Sequence, residues 1–439
     1  MTVNTYPNVL IISDATWSNN NNIGNTYSNL FGDWPEEKIS IIYTRGDLPE
    51  NDVCTQYFQI SENRLIKNIF DRKIKTGQKL TGNFSGDIDV KLLKDQESGK
   101  KMYDFFKSFR LNIFLNARNL LWKFSNWKSK ELDDFLENVN PDVIFLLGSP
   151  ETYLNNLQRY VIKKTDREAA IYFVDDIYSM KRFSLSPFFW INKLKARINI
   201  RKTIKLCNLM YTIVPKQKNE YEKNFHIKSK LLNKGAKFEK QFPLKEVLST
   251  PLEMVFTGNI YAGRWETLSE IGSVLDGLNK NHLTAVLKIY SQNKLDNKMK
   301  KAFDSHKSIK FMGGVHVSEI KEIQKKADIL VHVESLKLNE KLLTRLSFST
   351  KLVDYFERGR CIFAVGWDES ASMEYLKYND AAVTASSISE MKYKLKDLLT
   401  SPDRIKEYSD KSYKCGYENH KITNIRENIL QDLIRISEK

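Results

Sequence analysis

The stretch SFSTKLVDYFERGRCIFAVG, residues 347–366, reads as a polar turn, a short helix, a glycine stop and a buried strand. A hydroxyl at Ser349 or Thr350 suits the N-cap, where it accepts from free N–H groups of the first turn. The helix is expected to run to about Arg358 and to stop at Gly359, since glycine takes the left-handed conformation of a helix C-terminus without steric cost. RCIFAVG follows directly, and a run that is apolar on both faces marks an interior strand of a parallel sheet. Lys351 is the unusual residue. It stands at the positive end of the helix dipole, where unpaired N–H groups suit a phosphate and a cation has no structural purpose. That arrangement is expected of a helix that holds a diphosphate. Asp354, three residues on, shares the face of Lys351 and is placed to accept hydroxyl hydrogen bonds.

The same rhythm extends in both directions. LEMVFTGN (252–259), LTAVLKIYS (283–291), SIKFMGG (308–314), DILVHVE (328–334) and DAAVTA (380–385) read as strands with helical patterns between them. Earlier in the chain NVLIISD (8–14), ISIIYT (39–44), VIFLLG near 142–148, AAIYFVDD (169–176) and LMYTIV (209–214) do the same. Strands alternating with helices imply right-handed parallel sheets. A chain of 439 residues exceeds one core. The expected fold class is α/β, with two Rossmann-like doubly wound parallel-sheet domains facing a central cleft. The first is expected over 1–240, with a mostly helical insertion at about 62–136 that carries the loop TGNFSGD. The second is expected over 250–410. Residues 411–439 are expected to form a C-terminal helix packing back on the N-terminal domain. FEKQFPLKEVLSTPLE, 238–253, has two prolines and little periodicity and reads as the linker.

Hydrophobic residues make up 41% and charged residues 28%, which excludes a disordered chain. No apolar run reaches the ~18 residues of a membrane span. The start, MTVNTYPNVLIISD, lacks the basic and apolar regions of a signal peptide, so a cytoplasmic location is expected. Cys54, Cys207, Cys361 and Cys415 are scattered, and no histidine pattern matches a zinc site, so neither a disulfide frame nor a metal is expected. The net charge of +15 is concentrated: residues 181–240 hold 16 Lys and Arg against three Glu. Such a block is an electrostatic footprint for a membrane surface, a nucleic acid or a phosphorylated substrate, or else a solvated face.

FTGNIYAGRWETL (256–268), IKFMGGVHVSEIKEIQKKADILVHVES (309–335), STKLVDYFERGRCIFAVG (349–366) and EYLKYNDAAVTA (374–385) occur in that order. The set resembles the donor domain of the group 1 (family 4-like) nucleotide-sugar glycosyltransferases, which have the two-domain GT-B fold. The resemblance implies a nucleoside-diphosphate-sugar donor, no further cofactor, and a donor site built from Gly258, Asn259, Gly263, Arg264, Ser349, Thr350, Lys351 and Asp354. The residues themselves suit such a site. Glycines after a strand let backbone N–H groups approach a phosphate, and Arg264 can bind a diphosphate through two hydrogen bonds at once. The chain departs from the family at two places. Ser269 stands where a lysine usually follows the arginine by five residues. Asp354 matches the second acid of the family's two-glutamate motif, but Leu346 stands at the first, and Glu334 and Glu340 are out of register.

The first half is expected to hold the acceptor, a glycan or lipid-linked sugar. Asp14, Asp175 and Asp176 end strands there, and Asp175 is taken as the general base that an inverting reaction would require. In the retaining alternative, slightly favoured, the leaving diphosphate takes the acceptor proton and Arg264 and Lys351 stabilise its charge. SPFFWINKLKARINIRKTIKLC (186–207) opens with Phe188, Phe189 and Trp190, and Ile191, Leu194 and Ile198 recur at helical spacing among basic residues. It is expected either to lie on an anionic membrane, making the protein peripheral on the inner face, or to pack that stripe on the sheet. Bacterial surface polysaccharide or glycoconjugate synthesis is the expected setting. The competing readings are a nucleotide-sugar epimerase of the same fold and a non-enzymatic polyanion binder. No pattern of nucleic-acid recognition is present, so none is expected as a partner.

Overall fold

The computed structural model describes residues 6–19, 21–82, 112–182 and 184–438. Most of TGNFSGD and the middle of the segment expected to be a helical insertion lie outside the described residues. The chain divides into two compact units. One comprises Met1–Met180, Ser184–Leu232 and Asn424–Lys439, the other Lys181–Phe183 and Asn233–Thr423.

The first unit is built on an eight-stranded sheet in the order β4-β3-β2-β1-β5-β6-β7-β8. The strands are β1 (Val9–Ser13), β2 (Ile39–Tyr43), β3 (Gln56–Gln59), β4 (Gln78–Thr81), β5 (Val143–Leu147), β6 (Ala169–Phe173), β7 (Leu209–Thr212) and β8 (Ser229–Leu231). All neighbours are parallel except β3 and β4. Every residue of β1, β2, β5 and β6 is buried, as strands covered on both faces require. The helices are α1 (Asn22–Phe31), α2 (Glu62–Phe70), α3 (Asn112–Phe124), α4 (Lys130–Val139), α5 (Thr152–Thr165), α6 (Pro187–Ile204) and α7 (Pro215–Phe225). Three strands fall outside the runs expected from the sequence. β4 and β8 are short strands at the two sheet edges, β3 is a four-residue strand next to the β4 edge, and β4 falls within the segment read as helical. Edge strands need no apolar run, so QKLT carries no strand signal of its own.

The second unit has a six-stranded parallel sheet in the order β11-β10-β9-β12-β13-β14. Its strands are β9 (Leu252–Thr257), β10 (Ala285–Tyr290), β11 (Ile309–Gly313), β12 (Ile329–Val333), β13 (Cys361–Val365) and β14 (Val383–Ala385). Its helices are α8 (Arg264–Leu278), α9 (Asn297–Asp304), α10 (Val317–Lys326), α11 (Leu338–Thr344), α12 (Lys351–Arg358), α13 (Ala371–Tyr378), α14 (Ile388–Thr400) and α15 (Pro402–Asn419). The segment read as a linker lies inside this unit, where Phe238 and Phe242 pack on Tyr413 with ring centroids 5.5 and 5.2 Å away. The division falls earlier, at Leu232.

A last helix, α16 (Ile422–Ser437), places Ile429, Leu433 and Ile436 in the core of the first unit. Arg426 Nε donates to Asn29 O at 2.8 Å, and Asp432 accepts from Tyr211 Oη at 3.1 Å and pairs with Lys230.

In the second unit the strand order reverses between β9 and β12. In open parallel sheets the crevice beyond the carboxyl ends of two such strands is where ligands bind. Here β9 and β12 are paired only at Met254–Ile329 and Val255–Leu330, so their upper halves diverge. Tyr355 of α12 fills the gap. Its hydroxyl lies 3.4 Å from the Thr257 N–H and 3.3 Å from the Val331 carbonyl, which satisfies backbone groups the separation leaves unpaired.

Candidate functional site

The loop after β9 begins at Gly258, with φ +130, a conformation open to glycine. Asn259 Oδ1 accepts from the Tyr261 N–H at 2.7 Å and tightens the turn. Ala262 and Gly263 both take left-handed conformations, and α8 starts at Arg264 with no side chain capping its end. The Arg264 and Trp265 N–H groups donate to the Tyr261 and Ile260 carbonyls at 3.4 and 2.9 Å, so what that end offers an anion is chiefly the positive end of the helix dipole. A Cβ at Gly263 would overlap Ser335 Oγ, so the loop lies against the residue that follows β12 by two.

Lys351 reaches into this loop. Its Nζ donates to the Thr257 carbonyl at 3.0 Å and lies 4.9 Å from the centroid of the Phe256 ring. A Cβ on residue 258 would overlap that ammonium and lie 3.0 Å from Lys351 Cε. Burial, with repulsion from Arg264 added, pushes the Lys351 pKa down to about 8 against the weaker attraction of Asp354. Lys351 and Tyr355 are one turn apart on α12, and both close the gap between β9 and β12. The lysine that the family places on the helix after the arginine is absent, and Ser269 there bonds His306 Nε2 at 3.2 Å instead. The second cation at the loop comes from α12.

β12 contributes a buried pair. His332 Nε2 is 3.5 Å from Glu334 Oε1, and Glu334 Oε2 has no hydrogen-bond partner among the described residues although Glu334 is 4% exposed. Burial and the nearby cations Lys351 and Arg264 hold His332 below the usual histidine range, so it is neutral at pH 7. Burial raises the Glu334 carboxyl, but the His332 ring and the hydroxyls of Ser370 and Ser372 outweigh it and keep the acid ionised. This pair was not singled out from the sequence beyond the remark that Glu334 is out of register. DILVHVE reads as a core strand, and nothing local marks its histidine as lying near the cations or its last acid as paired with that histidine.

The remaining expected residues fall in three places. Ser349 and Thr350 begin α12 without capping it. Thr350 already has helical dihedrals, φ −58 and ψ −21, which an N-cap residue does not adopt, and the Ser349 N–H donates to Ser372 Oγ at 3.2 Å. Asp354 is paired with Lys234 at 2.6 Å, both about one-third exposed. Gly359 ends α12 with φ +58. In the first unit Asp14 follows β1, Asp175 is exposed beyond β6, and the buried Asp176 accepts from the Ser179 N–H at 2.9 Å, as a loop-shaping carboxylate does. Glu151, at the start of α5, was not picked out; burial raises its carboxyl, and Arg118 opposes that shift. Among the described residues no group of three or more His, Cys, Asp or Glu is placed to hold a metal ion.

The basic helix α6 turns its apolar stripe outward. Phe188 and Leu194 are 64% and 51% exposed, with Ile191 and Ile198 beside them, whereas Ala196, Ile200, Thr203 and Ile204 face the core. Lys195, Lys202 and Lys205 flank the stripe and are exposed, while Arg197 turns inward onto the Tyr178 ring at 3.9 Å. Of the two packings expected from the sequence, the one with the stripe on the sheet does not occur. Among the described residues no helix is long and apolar enough to cross a membrane.

No protein-family model matches the chain, and no curated protein matches it. Solved structures do. It is similar to the sucrose-phosphate synthase of Thermosynechococcus elongatus, at 7% identity and a TM-score of 0.61, over 97% of this chain and 98% of that one. It is similar to a trehalose-6-phosphate protein of E. coli bound with UDP-2-fluoro glucose, at 10% identity and a TM-score of 0.59, over 97% and 98%. It is also similar to the GtfA/B complex, at 13% identity and a TM-score of 0.53, over 71% of this chain but 61% of that one, so it spans less than two thirds of that longer chain. Strand order, the reversal between β9 and β12 and these likenesses agree: the chain has the two-domain GT-B fold.

Proposed function

We propose that this protein is a glycosyltransferase that moves a sugar from a nucleoside-diphosphate sugar onto a glycan or lipid-linked acceptor. The observation that carries the reading is the convergence of Lys351 and Arg264 on the glycine loop after β9, at the reversal of strand order. Two cations and the uncapped end of α8 match the charge and geometry of a diphosphate. The fold is that of the E. coli protein described with UDP-2-fluoro glucose, which supports a nucleotide-sugar donor.

In this reading Gly258, Asn259 and Gly263 shape the phosphate cradle, and Lys351 and Arg264 neutralise the diphosphate as it leaves. At the α12 start the Thr350 N–H and the hydroxyls of Ser349 and Thr350 are further donors, the Ser349 N–H being given to Ser372 Oγ. Asp354, held by Lys234, faces the donor's hydroxyls. A leaving diphosphate so neutralised takes the acceptor proton itself, which favours retention. Asp175 is the base of the inverting alternative. The exposed stripe of α6 with its lysines suits the surface of an anionic membrane, where a lipid-linked acceptor of surface polysaccharide synthesis would be met on the cytoplasmic side.

A thermal-shift panel with UDP, GDP, CDP, ADP and TDP tests the reading. A diphosphate at 100 times its dissociation constant stabilises the native state by about 2.7 kcal/mol. One nucleotide is expected to shift the wild type and to lose its effect on Lys351→Ala and Arg264→Ala. No shift by any of them at millimolar concentration would reject a nucleotide donor.

A further inference from the structure

A second concave site lies within the first unit, between α3, the loop after it, and α5. It is a cavity of about 480 Å³, in the range of pockets that hold small ligands. Its wall is aromatic. Trp122 stacks on Tyr153 with centroids 4.5 Å apart, and Trp127 meets Tyr160 edge-on at 5.4 Å. Its rim is cationic, with Lys123, Lys128, Arg159 and Lys163, and none of the described residues lining it is acidic. Lys128 Nζ stands 5.4 Å from the Trp127 ring and 5.3 Å from the Tyr160 ring, which fixes one charge over the aromatic wall.

Two polar atoms in this wall are buried and unsatisfied. Trp122 is 2% exposed, and among the described residues its Nε1–H has no acceptor and Asn119 Oδ1 has no donor. Buried polar groups in folded proteins are paired in the great majority of cases, so two orphans in one cavity call for a partner from outside. The two ask for different things. The indole N–H needs an acceptor, and the amide oxygen needs a donor. An inorganic anion supplies only the first. A hydroxyl-bearing anion supplies both, and a sugar ring adds a C–H face for the aromatic wall.

We infer that this cavity binds an anionic saccharide, a sugar residue carrying a carboxylate or a phosphate. The anion sits between Lys128 and Lys163, beside Arg159, whose terminal nitrogens are held by Asn156, Asn199 and Thr203, and ring hydroxyls satisfy Asn119 and Trp122 as these enclosed side chains turn to meet them. The inference goes beyond the transferase reading and does not need it, because every residue involved belongs to the first unit and none to the loop after β9.

Isothermal titration calorimetry of the full chain, without nucleotide, tests it. The probes are a tetrasaccharide of alternating glucuronic acid and N-acetylglucosamine, glucose 6-phosphate, maltotetraose and inorganic phosphate. Binding of one of the first two at least about tenfold tighter than maltotetraose and inorganic phosphate is expected, and which of the two binds tells carboxylate from phosphate. Trp122→Phe keeps the ring and removes the N–H, and is expected to weaken binding about fivefold or more. Lys128→Glu with Lys163→Glu, both at exposed positions, is expected to weaken it by more than about tenfold, as is a rise to high salt. Both variants are expected to melt like the wild type and to keep its response to nucleotides. Absence of binding by both acidic probes at millimolar concentration overturns the inference. So does equal binding of the neutral tetrasaccharide or of inorganic phosphate, or unchanged binding by the folded variants.

Discussion

The Nζ atom of Lys351 occupies the space into which a side chain at residue 258 would project. The glycine and the lysine, 93 positions apart, are therefore one device. Gly258→Ala meets both a positive φ and the ammonium. It is expected to cost about 1–3 kcal/mol of stability and to displace Lys351 from the Thr257 carbonyl. Urea unfolding measures the first effect and nucleotide titration the second. An alanine variant with wild-type stability and wild-type nucleotide binding would remove the basis for pairing the two residues.

The Lys351 ammonium is expected to make nucleotide binding depend on pH. Its folded pKa of about 8 lies below the ordinary lysine value, so the free protein loses this charge as pH rises through 8. Diphosphate affinity is expected to fall above about pH 8, up to about tenfold per pH unit over the steep part, since one proton is linked to binding. Folding shows the opposite slope. Between about 8 and 10.5 the unfolded chain holds the proton that the folded chain has lost, so stability contributed by this site rises with pH. Lys351→Met is expected to flatten both dependences, and calorimetric titrations from pH 7 to 9.5 with parallel melts measure them.

His420 gives a second pH signature. Burial lowers its pKa to about 4, against the Lys234 carbonyl, and Tyr375 Oη lies 2.8 Å from its Nε2. Between pH 6.5 and 4 the unfolded chain takes up a proton that the folded chain refuses, so stability falls as pH falls through that window. His420→Gln is expected to be less stable at pH 7, by about 1–3 kcal/mol, and less sensitive to acid. Melting temperatures at pH 4.5 and 7 for both proteins decide it.

The exposed stripe of α6 is expected to matter for membranes and not for folding. Leu194→Glu with Ile198→Glu changes two side chains that are 51% and 54% exposed, so the melting temperature should move little. Co-sedimentation with phosphatidylglycerol-rich vesicles is expected to drop about tenfold or more, and binding to neutral vesicles to be weak for both proteins. Equal sedimentation of wild type and variant would separate α6 from any membrane role.

Asp432 anchors α16 in the first unit through Tyr211 and Lys230. It is buried, so Asp432→Ala leaves a tyrosine hydroxyl without its acceptor and is expected to cost about 1–3 kcal/mol. Denaturant unfolding gives the value, and nucleotide binding by the second unit should be retained.

The strands of both sheet interiors were legible because burial on both faces writes itself locally, as in VLIIS, AAIYF and CIFAV. So was the end of α12 at Gly359, where one residue's conformational freedom decides. The edge strands β4 and β8, and the short β3 beside β4, were not, because pairing at the margin of a sheet is set by the neighbour and not by the residues' own pattern. Lys351 could be picked out from its position at a helix start. That its ammonium is enclosed above Gly258, against the Thr257 carbonyl, depends on how α12 packs across the diverging ends of β9 and β12. The same holds for the orphaned Trp122 indole and for the outward stripe of α6, which the sequence left equally suited to core and surface. Local pattern determines which elements form. Where a side chain ends, what it is buried against and which charges meet are properties of contacts between distant residues, and the tertiary structure alone decided them.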